Sequence, residues 1–244
     1  MKKCLFVSLC LLSCALSYGQ SRVGSFSITP RIGASISNLT NEVLYASTGV
    51  DNGNDYELKS KYKAGLTFGA EVEYQATPVI GLSLGALYSM QGFRYPEYAA
   101  KDEKTNAYYA FDNNSRTNLQ YINIPLLVNV YLYKGLALKA GVQMGLLVDA
   151  ESKYDARTMT KTKNTDGTYS YTYGDSKSTT TDMKDAFNKV DFDIPVGLSY
   201  EYMNFVLDAR YNIGLSNVYK KDYVDYNSKN SFFTVTFGYK FTLQ

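Results

Sequence analysis

Two pairs of acids set the chemical question. Glu71 and Glu73, like Asp191 and Asp193, lie two residues apart, and in an extended strand that spacing puts both carboxylates of a pair on one face. Carboxylates held side by side can serve as general acid and base, or hold a cation through oxygen ligands. The same face collects more ionisable residues, giving the set Arg31, Lys63, Glu71, Glu73, Lys139, Asp149, Asp191, Asp193, Glu201, Asp208, Arg210 and Lys240. Because both signs are present, a structural charge network is the reading weighed more heavily, since a buried charge is tolerated only when paired.

Composition removes several chemistries. The chain has no histidine, and its three cysteines, Cys4, Cys10 and Cys14, all precede Ala15. Ser/His and Cys/His nucleophile systems are therefore excluded, and a metal would have to be held by oxygen ligands alone. An Asp/Asp hydrolase stays possible, but nothing localises it. No catalytic, cofactor or metal residue is assigned, no cofactor is expected, and the chain is read as a non-enzyme.

Positioning these residues requires long strands. Leu119 to Val148 carries Ile122, Ile124, Leu126, Val128 and Val130 on one face and Asn123, Pro125, Leu127 and Asn129 on the other. After a turn at Lys134-Gly135, the second arm sets Leu136, Leu138, Ala140, Val142, Met144, Leu146 and Val148 against Lys139, Gly141, Gln143, Gly145 and Asp149. Alternation over two arms joined by a tight turn predicts an antiparallel hairpin, with arms well beyond the 5–6 residues, roughly, that are commonest in soluble proteins. The same pattern predicts further strands over Ser25–Asn38, Lys61–Gln75, Ile80–Gly92, Phe187–Tyr202 and Phe205–Asn217, and a last one ending in Phe233, Val235, Phe237, Tyr239, Phe241 and Leu243.

Eight strands emerge, and their connections alternate between long and short. Long polar segments lie at Leu39–Ser60, Phe93–Arg116, Glu151–Ala186 and Val218–Asn230, with turn residues Asp51-Asn52-Gly53-Asn54 in the first of them. All long loops then fall at one end and all tight turns at the other, the plan of an eight-stranded antiparallel up-and-down transmembrane β-barrel with four long extracellular loops. A soluble barrel of the lipocalin kind would instead turn the apolar face inward. Lipid is favoured because the apolar face carries no charge in any strand and the polar face is crowded with glycines, Gly65, Gly69, Gly81, Gly85, Gly141 and Gly145 among them. On a solvated face glycines would only weaken the strands; inside a narrow barrel they make room for long neighbours.

The first residues read as an export signal. Met1-Lys2-Lys3 is a positive n-region, Cys4 to Leu16 an apolar stretch, and Ser17-Tyr18-Gly19 a small-residue cleavage zone. The expected division is 1–20 signal peptide and 21–244 barrel. Leu11-Leu12-Ser13-Cys14 faintly resembles a lipoprotein box, with an ordinary signal cysteine the favoured reading. The formal charge of +2 from 25 basic and 23 acidic residues vanishes once Lys2 and Lys3 are removed, which argues against a nucleic-acid partner. The 24 Tyr and 12 Phe suit an amphipathic interface. Tyr62, Tyr74, Tyr88, Tyr131, Tyr200, Tyr202 and Tyr239 are expected in interfacial girdles, and Thr168–Tyr173 is a candidate for a protruding hairpin.

Tyr121-Ile122-Asn123-Ile124-Pro125-Leu126-Leu127, the arm Ala140-Gly141-Val142-Gln143-Met144-Gly145, Tyr211-Asn212-Ile213-Gly214-Leu215-Ser216-Asn217 and Phe237-Gly238-Tyr239-Lys240-Phe241 resemble the small PorT-like, porin-family outer-membrane β-barrels of Bacteroidetes. The resemblance implies an outer-membrane location. It also implies, through the family's namesake, a possible accessory role in type IX-like protein secretion. The leading functional expectation is a monomeric, non-enzymatic barrel in outer-membrane lipid that contacts envelope or secretion-system proteins through its loops. A small passive pore ranks behind both, since an eight-stranded interior has room only for side chains.

Overall fold

The computed structural model describes residues 22–47, 55–101, 107–112, 115–223 and 226–243. The stretch read as an export signal, with its three cysteines, the expected turn at Asp51–Asn54 and the terminal Gln244 lie outside the described residues. Eight long strands carry the fold: β1 (Phe26–Leu39), β2 (Lys61–Gln75), β3 (Ile80–Arg94), β4 (Arg116–Tyr133), β5 (Leu136–Lys163), β6 (Val190–Tyr202), β7 (Phe205–Gly214) and β8 (Asn230–Tyr239). Each pairs antiparallel with its sequence neighbour, and β8 returns to β1 through the register Arg31↔Gly238 to Leu39↔Asn230. The ring is therefore closed, and every strand finds a partner on both sides. Closure matters because a bilayer offers no water to satisfy a free strand edge.

Tight turns close one end of the barrel. Lys134 and Gly135 both have positive φ (35° and 88°), as do Met203 and Asn204 (47° and 69°); two successive positive values mark the turn geometry whose twist suits a two-residue hairpin. At Gly135 a side chain would also meet the Glu201 carbonyl oxygen at 2.2 Å. The last strand breaks at Lys240, whose N–H donates to the Asn204 carbonyl at 2.7 Å, and the chain resumes pairing with β1 as Phe241–Leu243.

The two faces divide as the period-two pattern predicts. Ile32, Leu84, Val142 and Leu207 are each more than half exposed, while Ser35, Ser89, Asn129 and Asp208 on the opposite face are buried. An exposed apolar belt around the whole circumference far exceeds the few hundred Å² that soluble monomers tolerate. On β3 the outward apolar run from Ile80 to Met90 matches the 9–11 residues, roughly, that a tilted strand needs to cross the hydrocarbon.

Beyond this belt the sequence expectation needs extending. β5 does not stop at Val148 but runs on to Lys163, pairing with Tyr169–Asp182 on one side and with Tyr108–Phe111 on the other. Tyr108–Phe111 in turn pairs with Tyr98–Lys101, so a sheet stands out from the barrel at the long-loop end. The outer mouth itself is closed by an apolar layer of Leu39, Phe93, Leu119, Leu147, Phe187, Val218 and Tyr219. Phe187 and Tyr219 stack at 4.6 Å and meet in an isolated bridge. This is why β6 starts at Val190 rather than Phe187, and why β7 ends at Gly214: the flanking residues fold over the mouth.

Candidate functional site

The lumen is built from strand positions that alternate inward, and it sorts the charged residues into two units. In the first, Arg31 bridges Glu71 at 2.9 Å and Arg210 bridges it at 2.5 Å, with Lys139 at 3.5 Å. Asp208 receives Lys139 at 2.9 Å, Arg210 Nε at 2.7 Å and Arg31 at 3.4 Å. Three cations thus surround two carboxylates. In the second, Lys240 lies between Glu73 and Glu201, 2.9 Å from each, and the Tyr131 hydroxyl donates to Glu73 at 2.6 Å. One cation serves two carboxylates there, so the positive excess of the first unit offsets the negative excess of its neighbour.

This pairing is what a low-dielectric interior demands, because either unit broken would leave an uncompensated buried charge. Space is made for it by small residues: a Cβ on Gly85 would sit 2.8 Å from Glu71 Cγ. Glu71 and Glu73, the first of the acid pairs, are therefore each clamped by cations. The residual void beside Asp208 and Arg210 measures about 10 Å³, at most the space of a single water.

The second acid pair has a different environment. Asp191 accepts from the Ser216 hydroxyl, from the Phe192 N–H at 2.9 Å and from Asn230 at 3.3 Å. Asp193 accepts from Gln143 at 2.9 Å. Among the described residues neither aspartate forms an ion pair with Lys or Arg, and both are buried. Neutral donors from β5, β8 and the segment after β7 take the place that cations hold deeper in the barrel.

Three expectations need correcting. Asp149 is not in the lumen. Gln120 pairs with Asp149 but Tyr121 pairs with Leu147, so Val148 is an extra residue in β5 and the inward parity passes from Leu147 to Ala150. Asp149 thereby turns outward, where it accepts from Gln120 at 3.0 Å, and Gln120 accepts in turn from the Tyr88 hydroxyl. Lys63 is near the rim rather than in either unit; its ammonium donates to the Gln91 carbonyl at 3.3 Å. Tyr131, expected in an outer girdle, faces inward and bonds Glu73 and Lys240, as its odd position beside Asn129 required.

The outer mouth contributes a residue that periodicity did not single out. Glu42, just past β1, is buried and accepts from the Tyr95 hydroxyl at 2.8 Å and from Tyr219 at 3.1 Å. Desolvation by the surrounding loops raises its pKa above the ordinary carboxylate value, against the opposing pull of those hydrogen bonds. Tyr95 and Tyr219 are pushed up as well, chiefly by burial and then by the Glu42 charge. The signal for this layer was present in sequence: Leu39, Phe93, Leu119 and Leu147 are apolar residues at inward positions, all near the long-loop end.

The protruding sheet carries two accessible recesses. One face holds a groove of about 600 Å³ lined by Lys101, Tyr109, Phe111, Tyr154 and Lys177 among others. The other face holds one of about 370 Å³ with Tyr98, Arg157, Met159, Tyr171 and Tyr173. Tyr98 stacks on Phe111 at 4.5 Å, Arg157 bridges Asp112 at 2.5 Å, and Lys161 lies 4.2 Å from the Tyr169 ring centre. Rigid aromatic surfaces flanked by charge are suited to binding, since they lose little conformational entropy on contact.

A family comparison agrees with this architecture. The family model for the outer membrane protein beta-barrel domain matches residues 18–220. Among solved structures, the chain is similar to Ail, the attachment invasion locus protein of Yersinia pestis, at 16% identity and a TM-score of 0.41, covering 90% of this chain and 100% of that one. It is similar to Neisserial surface protein A at 13% identity and a TM-score of 0.39, covering 88% and 97%. The outer membrane protease OmpT of Escherichia coli shares 14% identity at a TM-score of 0.38, covering 90% and 97%. Among curated proteins no match was found.

Proposed function

Since the chain belongs to the outer membrane protein beta-barrel domain family, we propose that it is a non-enzymatic outer-membrane interaction protein that engages its partner through the protruding sheet. The observation that carries this reading is the division of labour along β5. Its barrel portion packs against a filled, charge-paired lumen, whereas Glu151 to Lys163 supports two aromatic grooves clear of the belt. A catalytic role finds no support in the lumen, where Glu71 and Glu73 are held in ion pairs and the void beside Asp208 and Arg210 is about 10 Å³. The apolar layer over the mouth and the ion-paired interior also count against a passive pore.

A second reading, an accessory of a type IX-like secretion machine, rests on the resemblance of Tyr121–Leu127 and Tyr211–Asn217 to PorT-like barrels. It uses the same surface. Site-specific photo-crosslinking in intact cells tests them together. A crosslinker at Tyr109 or Tyr171 is expected to trap one discrete protein adduct, and one at Lys134, on the tight-turn end, is not. Identification of the adduct as a secretion component would favour the second reading. Absence of any adduct from both groove positions would refute the proposed role of the sheet.

A further inference from the structure

The lumen is short of positive charge, and the shortage is local. Below the apolar lid six acids are buried, Glu71, Glu73, Asp191, Asp193, Glu201 and Asp208, against four bases, Arg31, Lys139, Arg210 and Lys240. All four bases are engaged with Glu71, Asp208, Glu73 and Glu201, and those two units together are neutral. The deficit therefore falls on Asp191 and Asp193. The formal charge acting on Asp193 is that of Asp191, which repels it, and neutral donors alone do not balance two buried carboxylates.

Orphaned oxygens surround the same pair. Tyr121 is 1% exposed, and its hydroxyl has no hydrogen-bond partner among the described residues; nor do Asp193 Oδ1 and Asn230 Oδ1, which are buried as well. A buried polar atom left without a partner in a native fold calls for an explanation. Strand register brings these groups together. Gly145 of β5 pairs with Asn123 of β4 on one side and with Asp191 of β6 on the other, and it has no side chain to hold them apart. The point that a Cβ would occupy lies 3.2 Å from Asn123 Oδ1, 3.3 Å from Tyr121 Cδ1 and 3.5 Å from Asp191 Cβ. The Tyr121 ring thus leans across Gly145 toward β6, and the charges acting on its hydroxyl are those of Asp191 and Asp193. Asn230 reaches the pair from β8, donating to Asp191 at 3.3 Å.

We propose that Asp191 and Asp193, with the Tyr121 hydroxyl and the Asn230 amide oxygen, form a binding site for a calcium ion. Two carboxylates match its charge. No third acid converges on them among the described residues, so neutral oxygens complete the shell, as they commonly do for this hard cation. Calcium suits the place better than magnesium, because it accepts irregular oxygen geometry and gives up its water more readily. Water is excluded here by the apolar layer at the mouth, to which Tyr121 and Leu147 themselves belong. The bound ion fastens the outer ends of β4, β6 and β8 to one another beneath that layer. It is taken up as the barrel closes, and it does not depend on the protruding sheet having a partner.

Native mass spectrometry of the full-length barrel tests this after refolding in neutral detergent with calcium, magnesium or EDTA. A single calcium ion per barrel is expected to survive removal of free metal, and magnesium is not. Urea unfolding in phosphatidylcholine vesicles should have a higher midpoint with calcium than with EDTA, since a ligand bound by the folded state alone stabilises it. Asp193→Asn should weaken retention by about tenfold or more, because affinity follows the number of charged ligands. Asp191→Asn with Asp193→Asn should abolish both the retention and the shift. Tyr121→Phe, which removes only the hydroxyl, should weaken retention while preserving the fold, and it decides the matter if the aspartate variants fail to assemble. Asp166→Asn, in the exposed turn at the tip of the protruding sheet, should change nothing. Folding of each is checked by its heat-sensitive gel mobility. No retained calcium, with equal midpoints in calcium and EDTA, would overturn the proposal and leave the pair to be neutralised by protons. Equal retention by wild type and the double variant would overturn it as well, as would magnesium held as firmly as calcium.

Discussion

The Lys240 ammonium lies 2.9 Å from the Glu73 carboxylate, tying the end of the last strand to the second strand across the intervening β1. That contact does not follow the ladder; it crosses the lumen and makes the barrel interior one connected body. With Glu201 held by the same ammonium at 2.9 Å, removal of Lys240 leaves two buried carboxylates unmatched. Lys240→Met is expected to cost roughly 3–5 kcal/mol, the usual penalty for breaking a buried pair. Adding Glu73→Gln and Glu201→Gln should return most of it. Urea titration in lipid vesicles, read by tyrosine fluorescence in this tryptophan-free chain, distinguishes the two variants.

Close strand approach makes a second prediction. A Cβ at Gly141 would sit 2.0 Å from the Leu126 carbonyl oxygen, and backbone on the neighbouring strand cannot step aside as a side chain can. Gly141→Val should therefore destabilise by at least about 1–3 kcal/mol, the range for overpacking. The compact, boiling-sensitive gel band should be reduced or lost.

The outer mouth should respond to pH with a definite sign. Burial raises the Glu42 carboxyl pKa in the folded protein, so the protonated form is the one the folded state prefers. The corresponding stability is fully present below the unfolded carboxylate value and is lost as pH rises through the higher folded one. The protection factors of the Val218 amide, which donates to the Ser228 carbonyl at 2.8 Å, and of the Ser228 amide, which donates to Asn217 Oδ1 at 2.9 Å, taken after correction for the intrinsic pH dependence of exchange, should accordingly be higher in mild acid than at neutral pH. Glu42→Gln should flatten the dependence; an unchanged profile in that variant would assign it to another group.

A filled lumen predicts electrical silence. With four basic and four acidic side chains paired across the interior and a residual void of about 10 Å³, planar bilayers containing the protein should show no steady ohmic conductance. Stable open-channel steps at low voltage would contradict the packing described.

Much of the barrel was legible because the two demands on it, lipid outside and paired charge inside, write a period of two into every strand. Eight strands, their order and the inward placement of Arg31, Glu71, Lys139, Asp208 and Arg210 all follow from that period. What parity could not foresee was its own interruption. A single extra residue at Val148 reversed Asp149, and no composition signal marks a bulge whose residue is an ordinary strand former. Partner choice was equally invisible: that Lys240 serves Glu73 and Glu201, while Asp191 and Asp193 rely on neutral donors, depends on distances across the ring. The apolar lid was readable in principle from Leu39, Phe93, Leu119 and Leu147, but Leu39 and Phe93 stand at the starts of segments whose polarity reads as loop.

The unbroken course of β5 has a mechanical consequence. From Glu151 to Lys163 the strand continues for about 40 Å at the usual rise per residue, hydrogen-bonded on one flank to Tyr169–Asp182 along most of that length. Such an arm is a strut rather than a tether. Whatever it grips is held at a set stand-off from the bilayer, and a pull on its tip is borne by the barrel wall instead of being absorbed by slack in a loop.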